Sequence, residues 1–423
     1  MILLVGLFIC LLLAILPFGG TSPVFFAPAQ LGIFLLFANL VWNRQFPRSL
    51  PWKPAAAFFT FVLIQSSWVA IDKSLIQSGL LKLLAYICFF LLASYLSRSR
   101  NFRFALIYCL IGIGVFEAVY GMVQYLAGWQ QIFTFEKVLY TDRASGTFIN
   151  PNHYAGFLEM VLPFSLVLGL YRLGGDRKGH WLSQSAQNPN GQKNVSAAAF
   201  FFCISIVIFL GIIFSQSRMG IFSALISMAL IGILWFTSSL NRFLAMVIIA
   251  LYLIAGVLAG IWTGVEPVLD RYEFAGSDIS VRTAIWSDSL SLILDRPLLG
   301  SGIGSFVSAY PEFQTTALTY LIDHAHNDYL EFAVELGIPA AILFFGMFFF
   351  LLWKSGAAFY SLRSESKRFL ALGSCGSIFA ILLHSLTDFN LQIPANALTF
   401  AIILGLTVGS IFDDETHSIK HRP

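Results

Sequence analysis

The sequence predicts an all-α polytopic membrane protein with about 12 transmembrane helices. Of the 423 residues, 57% are hydrophobic and only 11% are charged, whereas a soluble domain averages about 25% charged residues. Apolar runs close to the ~20 residues that carry an α-helix across a bilayer recur along the chain. Because lipid cannot satisfy backbone hydrogen bonds, such runs form helices. A soluble enzyme, a nucleic-acid-binding protein and a secreted disulfide scaffold are therefore excluded.

The apolar runs follow one another without an intervening soluble domain, so we expect residues 1–423 to form a single membrane domain. The first run has no basic residues before it, unlike a signal peptide, and a second run follows at once. The third run is short for a transmembrane helix. The predicted spans are residues 1–18, 23–41, 55–70, 80–96, 104–127, 153–172, 197–214, 219–237, 243–262, 329–353, 369–386 and 395–411.

The basic residues predict the orientation of these spans. One set of alternate connections, together with the C-terminal tail, holds 17 of the 25 Lys and Arg residues. Cytoplasmic loops are enriched in these residues, so we expect both termini in the cytoplasm. The two long connections, 128–152 and 263–328, then lie on the outer side. Long loops of this kind are often functional, and we expect any chemistry on that face.

Charge and cysteine content narrow the range of partners. The net charge of +3 is too small to indicate a nucleic acid or another polyanion. All five cysteines lie in apolar runs and form no Cys-x-x-Cys pair, so neither a zinc site nor a disulfide framework is expected. The lipid bilayer is the one partner that composition alone predicts.

The segment 141–160 is the first candidate for chemistry. Asn150-Pro151-Asn152 is a turn signal, and Pro151 or Asn152 is suited to begin the next helix. His153 and Glu159 then lie on the first turns of the sixth span, close to the outer interface. The alternative is a polar loop that meets a helix through an interfacial histidine without a function.

The short connection 215–220, with the sequence SQSRMG, places Arg218 beside the membrane. An arginine at mid-bilayer costs about 2.5–3.5 kcal/mol on insertion scales, and less near a helix end. Arg218 either extends to lipid phosphates or binds an anionic ligand, since a guanidinium matches phosphate oxygens in bidentate geometry.

The connection 263–328 contains a helix pattern. Ser280 can cap a helix that runs to about Leu294 and ends before Arg296-Pro297. Arg282 and Trp286 are one turn apart and share a face. The glycine-rich run at 300–304 has no βαβ unit around it, so it indicates a tight turn and not a dinucleotide site.

The densest polar cluster is 323–335. If the whole segment is helical, His326 points away from a stripe formed by the other polar residues. Alternatively, Asn327 caps the helix and His326 precedes it, free to face a cavity. The two histidines then act as a general base and its neighbour, bind a metal, or have no function. The stripe would consist of His324, Asp328, Glu331 and Glu335.

The predicted topology brings these segments to one side of the membrane. Basic groups are scarce on the outer side, yet several lie in the same segments as the histidines. A site for an anionic, lipid-borne substrate would need this arrangement. The residues concerned are His153, Arg218, Arg282, His324 and His326, with His384 and Asp388 at the outer end of the eleventh span.

Together these segments resemble the O-antigen ligase/Wzy-type polymerase superfamily. The resemblance extends over residues 140–345, and outside this region only the hydropathy agrees. The combination of an Arg-x-x-x-Trp helix, a Pro-x-x-Gly-x-Gly-x-Gly turn and a His-Asn motif is more specific than any one of them. The strings that carry it are GTFINPNHYAGFLEM, SQSRMG, VRTAIWSDSLSLILDRPLLGSGIGSF and DHAHNDYLEFAVELGIP.

The resemblance implies a metal-independent, GT-C-like glycosyltransferase of the bacterial inner membrane that needs no cofactor. Such enzymes transfer a glycan from undecaprenyl diphosphate to an acceptor hydroxyl on the periplasmic face. The acceptor is lipid A core in a ligase, another lipid-linked repeat in a polymerase, or a protein side chain. The connections 128–152 and 263–328 would then be periplasmic loops, the larger one partly helical.

By position, the resemblance also assigns roles to residues. Arg218 and Arg282 would bind the diphosphate, and His326 would deprotonate the acceptor, with His324 as the alternative base. The rest of the substrate site would consist of His153, Trp286 and Asn327.

A multi-span transporter or a flippase of lipid-linked glycans is the alternative from another class. Its binding site should lie near mid-bilayer, beside broken helices in two related halves. No such similarity between halves is visible, and the polar groups gather at the outer end. Glycosyl transfer is therefore the favoured prediction.

Overall fold

The computed structural model describes residues 1–43, 50–69, 71–173, 189–238, 266–315 and 321–419, with the single residues 247, 250, 252 and 254. Most of these residues are helical, as the composition predicts. The chain is thus an all-α polytopic membrane protein. The helices are α1 (Ile2–Ile15), α2 (Pro23–Trp42), α3 (Trp52–Trp68), α4 (Lys73–Leu96), α5 (Arg100–Leu126), α6 (Pro151–Arg172), α7 (Pro189–Phe214), α8 (Arg218–Ser238), α9 (Glu266–Asp295), α10 (Phe306–Ala309), α11 (Asp328–Leu336), α12 (Ile338–Ser361), α13 (Glu365–His384) and α14 (Pro394–Ile419).

Within the described residues, nine helices are long and apolar enough to cross a membrane. They coincide with nine of the twelve predicted spans. Helices α1 and α3 also lie where spans are predicted, but they have only 14 and 17 residues. The predicted span 243–262 lies almost wholly outside the described residues. The membrane-spanning architecture is confirmed, and twelve remains the predicted number.

Helix α6 forms the centre of the bundle. It packs against α7 and α13, and α14 packs along α4. Helices α6, α13 and α14 are the most deeply buried of the nine described spans, and they are also the least apolar. Their polar side chains face other helices and not lipid, which agrees with the cost of exposing polar groups to hydrocarbon.

The predicted span 329–353 is wrong at its beginning, because it consists of two helices. α11 ends at Leu336, and α12 starts at Ile338 after a sharp break. Gly337 has φ 78°, a conformation that residues with a Cβ rarely adopt, and a Cβ there would collide with the Leu298 carbonyl. The acidic residues of α11 therefore lie on a separate short helix beside the bundle.

The connection between α8 and α12 is largely helical where it is described, as expected. Its main helix, α9, begins at Glu266, so the prediction that Ser280 caps it is wrong. The helix ends at Asp295, directly before Arg296-Pro297, as predicted. The glycine-rich run 300–304 is a turn that packs against α4, with Gly302 at φ 100°.

The other long connection contains a small hairpin between α5 and α6. Its strands, β1 (Gln131–Ile132) and β2 (Phe135–Glu136), pair in antiparallel register. Farther along, the Thr147 hydroxyl donates to Glu117 Oε1 at 2.8 Å, and the backbone N–H of Thr147 donates to Oε2 at 2.8 Å. Glu117 thereby fixes the chain just before α6 begins.

Candidate functional site

The site is organised by the segment 385–393, which joins α13 to α14. Its first residue, Ser385, donates a hydrogen bond from its hydroxyl to Asp328 Oδ2 at 2.7 Å. The backbone N–H of Asp328 donates to the carbonyls of Ser385 and Asp388, at 3.0 and 3.2 Å. The N–H of Leu391 also donates to Asp328 Oδ2, at 3.2 Å. The start of α11 is thus attached to the α13–α14 connection.

Asp388 lies in the middle of this connection, buried beside two histidines. Its Oδ1 is 3.5 Å from His153 Nε2 and 3.9 Å from His326 Nδ1. Asn152 donates to its Oδ2 at 2.8 Å. Burial would raise the pKa of Asp388, but its interaction with His153 outweighs burial and holds this pKa well below its usual range. Asp388 is therefore a carboxylate at neutral pH.

The ring of Phe389 contacts three histidines. His324 stacks on it with ring centroids 4.0 Å apart and planes at 15°. His153 and His326 meet it edge-on, with centroids at 4.6 and 5.0 Å. These contacts bring histidines from two distant sequence segments around one residue.

His324 is held by Glu331 of α11. Its Nδ1 lies 2.7 Å from Glu331 Oε1, and the N–H of Ala325 donates to Glu331 Oε2 at 2.9 Å. Burial lowers the pKa of His324, but the charge and hydrogen bond of Glu331 outweigh it and raise this pKa to about 9. His324 is therefore a cation at neutral pH.

His326 lies directly before α11. Asn327 is the N-cap of that helix, and its Oδ1 accepts a hydrogen bond from the N–H of Leu330 at 3.1 Å. The capping alternative is therefore confirmed. The single helical stripe is wrong, because His324 precedes the helix. Burial and the charge of Arg282 lower the pKa of His326 despite the opposing effect of Asp388. His326 is thus neutral at pH 7.

Arg282 and Trp286 of α9 join the same cluster. The Arg282 guanidinium donates to the carbonyl of Thr387, next to Asp388. Trp286 Nε1 donates to the carbonyl of Ala325, between the two histidines, at 3.0 Å. Their shared helix face, predicted from a spacing of four, is therefore the face that α9 presents to the site.

Arg218 occupies a different position among the predicted site residues. It is exposed at the first residue of α8. Two residues later, Gly220 packs closely against Ala155, near the start of α6. Arg218 thus lies at the start of α8, which packs against the part of α6 that carries His153.

Sequence reasoning missed Arg143, which lies buried behind the site. Its Nε donates to the carbonyl of Ser215 at 2.7 Å, and its Nη2 donates to Asn152 Oδ1 at 3.2 Å. Asn152 in turn contacts Asp388, so Arg143 orients the amide that binds the carboxylate. An arginine between the polar residues of TDRASG was the available signal.

A second histidine–carboxylate pair is buried within the spans. His384 Nδ1 lies 3.1 and 3.0 Å from the two Glu159 oxygens, and the hydroxyl of Ser223 donates to Glu159. Glu159 and His384 were predicted near the outer end, and this pair joins α6, α8 and α13 below the α13–α14 connection. Among the residues described, no group of three or more His, Cys, Asp or Glu side chains could hold a metal ion.

The fold and the site define a class: a helical membrane protein with histidines, carboxylates and an arginine gathered at one end of the bundle. Within it, residues 203–345 match the model of the O-antigen ligase family, Wzy_C, which confirms the family predicted from the sequence. The match covers about a third of the chain and ends before the α13–α14 connection. No curated protein matches the chain. The family indicates a glycosyl-transfer enzyme that acts on lipid-linked glycans.

Proposed function

We propose that this protein transfers a glycan from an undecaprenyl-diphosphate carrier to an acceptor hydroxyl on the periplasmic face, as an O-antigen ligase or polysaccharide polymerase. The observation that carries the proposal is the position of His326, whose Nδ1 lies 3.9 Å from Asp388 Oδ1 and which directly follows the carbonyl that Trp286 of α9 binds. Neutral imidazole, anchored carboxylate and guanidinium are the groups that this reaction requires at one place.

In the proposed step, the acceptor oxygen attacks the anomeric carbon of the donor sugar. His326 Nδ1 faces Asp388, at 3.9 Å, so Nε2 is left to accept the hydroxyl proton. The bond between the anomeric carbon and the phosphate oxygen breaks, and the diphosphate leaves with the electron pair. A positioned general base contributes about 10²–10⁴-fold.

Cationic groups would stabilise the departing diphosphate. Arg282 and Arg218 are assigned this role, since guanidinium groups match phosphate oxygens and act strongly where water is scarce. His324, whose pKa is raised to about 9, adds a third positive charge and is poorly suited to accept a proton. This difference supports His326 as the base, with His324 as the alternative.

The remaining assigned residues position these groups. His153 shares the Asp388 carboxylate with His326. Asn327 caps α11 and also donates to the carbonyl of Leu386 at 2.9 Å. Trp286 fixes the backbone between the two histidines. We propose that these contacts hold the His326 side chain in position to act on the acceptor beside the donor.

The proposal includes an orientation and a metal-free mechanism. The protein would lie in the bacterial inner membrane with both termini in the cytoplasm, and the site would face the periplasm. The leaving group is already activated as a diphosphate, so base and cations suffice. Addition of a chelator should leave transfer unchanged, and a loss that a divalent metal restores would contradict this part of the proposal.

The decisive experiment measures lipid-linked glycans in strains whose only copy carries His326→Ala or His324→Ala. With His326→Ala, we expect undecaprenyl-linked glycans to accumulate and mature polysaccharide to disappear. Single repeats on the carrier would indicate a polymerase, and long carrier-bound chains a ligase. If neither variant changes the lipid-linked pool while both proteins reach the membrane, glycosyl transfer at this site is wrong.

One observation favours the alternative, a transporter or flippase. The Glu159–His384 pair is fully buried within the spans, and buried ionisable pairs are common in transport pathways. Purified protein distinguishes the two functions. Transfer of glycan from carrier to acceptor in detergent requires an enzyme, whereas a transporter has no activity without two compartments.

A further inference from the structure

Helix α9 carries a row of side chains that starts at the site and leaves it. Arg282, Trp286, Leu290 and Leu294 are spaced four residues apart, so each side chain lies beside the next in a row along the helix. The first two contact the site through Thr387 and Ala325. Leu290 and Leu294 are 50% and 75% exposed. The row thus begins with side chains that make polar contacts at the site and ends with solvent-exposed leucines.

The apolar end of this row leads to a membrane span. Leu298 lies in the turn that follows α9 and is 69% exposed. Beside it, the N–H of Ile338, the first residue of α12, donates to the carbonyl of Pro297 at 2.8 Å. Farther along α12, Ile342 and Leu343 are exposed on the surface of that span. Exposed apolar side chains therefore occur along α9, in the turn after it and on the adjoining α12.

The leucine row is not required for the packing of α9. The helix buries its opposite face, including Ile285 and Leu292, against Phe306 and Tyr310. The adjacent exposed row differs in character, because it is polar. It consists of Thr283, Ser287, Ser291 and Asp295.

We propose that Leu290, Leu294 and Leu298 form a track for the isoprenoid tail of the lipid-diphosphate donor, between the site and the bilayer. This inference rests on the proposed function. A diphosphate bound at Arg282 carries an apolar chain that must return to the membrane without crossing water. Arg282 and Leu294 are separated along the helix axis by about 18 Å. A long isoprenoid chain can follow the row over this distance and continue down α12.

The test compares two ligands that share a diphosphate and differ in tail length. Binding of undecaprenyl diphosphate and of the short, water-soluble geranyl diphosphate is measured with full-length protein in nanodiscs. Leu294→Asp should weaken binding of undecaprenyl diphosphate about tenfold and leave geranyl diphosphate binding unchanged. Ser291→Asp is the matched control, because it adds the same charge to the adjacent exposed row, and it should affect neither ligand.

Other outcomes would overturn the track. Unchanged undecaprenyl diphosphate binding in both Leu294→Asp and Leu298→Asp would exclude contact with the tail. An equal loss for both ligands would mean that the leucines only anchor α9 at the membrane surface. Arg282→Ala is measured in parallel and should weaken both ligands. If Arg282→Ala weakens binding of neither ligand, the proposed diphosphate site is wrong. The leucine variants do not affect this conclusion, so the two failures can be told apart.

Discussion

The two ends of the bundle use basic residues in different ways. At the site end, Arg282, His153 and His326 all contact one short connection, the segment 385–393. A buried carboxylate, Asp388, lies at its centre. His153 and His326 share this carboxylate, and Arg282 contacts the neighbouring residue, Thr387.

At the opposite end, basic residues are distributed around the rim and contact aromatic residues. Arg100 donates to the hydroxyl of Tyr171 at 3.3 Å, and Arg172 donates to the hydroxyl of Tyr108 at 3.0 Å. Arginine beside tyrosine is typical of a membrane interface. The number of basic residues therefore does not identify a site, whereas their convergence on one short connection with a buried carboxylate does.

The variant expected to affect the site end most removes the negative charge of Asp388, which His153 and His326 share. Asp388→Asn keeps the size of the side chain but loses the charge that orients His326, so we expect transfer to fall about 10²-fold. Transfer of glycan from purified lipid-linked donor measures it. Asp295→Asn, an exposed acid at the end of α9, is the control and should stay close to wild type. Equal rates for the two variants would remove Asp388 from the site.

The pH dependence of transfer tests whether His326 at the site end is the base. The pKa of His326 is lowered below its usual value, so the base is neutral at pH 7 and becomes protonated only in acid. The rate constant should be level near pH 7 and fall about tenfold per pH unit below this pKa.

Two variants should move this acid limb in opposite directions. The charge of Asp388 raises the pKa of His326, and the charge of His324 lowers it. Asp388→Asn should therefore shift the limb to lower pH, and His324→Gln to higher pH. A limb that neither variant moves would mean that another group titrates.

A smaller effect is expected from the helix caps at the two ends. Asn327 caps α11 with a side-chain hydrogen bond, so Asn327→Ala should cost about 1 kcal/mol of stability. Ser99 is the N-cap of α5 at the other end and makes no side-chain cap hydrogen bond, so Ser99→Ala should change little. Thermal unfolding of both variants in the same detergent gives the comparison, and an equal response would contradict the assigned role of Asn327.

The smallest effect belongs to the rim of arginines. Arg172→Ala removes one contact with a tyrosine hydroxyl, and exposed pairs of this kind contribute at most about 1 kcal/mol. We expect transfer within about twofold of wild type, whereas Arg282→Ala should abolish it. Expression level and transfer rate, measured together, separate insertion from chemistry. A large loss of transfer with normal insertion would mean that both ends contribute to the reaction.

The sequence predicts the features that depend on local patterns. The spans follow from apolar runs, the cap at Asn327 from its position before α11, and the common face of Arg282 and Trp286 from their spacing. The break at Gly337 was missed, because the apolar pattern continues across it, and the positive φ and the approach of the Leu298 backbone, which both require a glycine, become visible only in the structure.

The organisation of the site depends on contacts between distant segments, which periodicity cannot predict. Asp388 follows a span in an ordinary short connection, TDFNLQIP, and nothing local indicates that Asn152, His153 and His326 meet there. The early start of α9 was missed for a related reason. The capping signal at Ser280 was the strongest local one, whereas the helix begins at Glu266.

The burial of α6 at the centre of the bundle has a consequence for how the chain enters the membrane. Helices α6, α13 and α14 are the least apolar of the nine described spans, so each alone partitions into lipid less readily than its neighbours. Polar groups such as Glu159 and His384 find their partners on other helices, including Ser223 of α8. We therefore expect α6 to remain in contact with the translocon until α13 and α14 have been synthesised. Its insertion is then completed only when the C-terminal third of the chain is present.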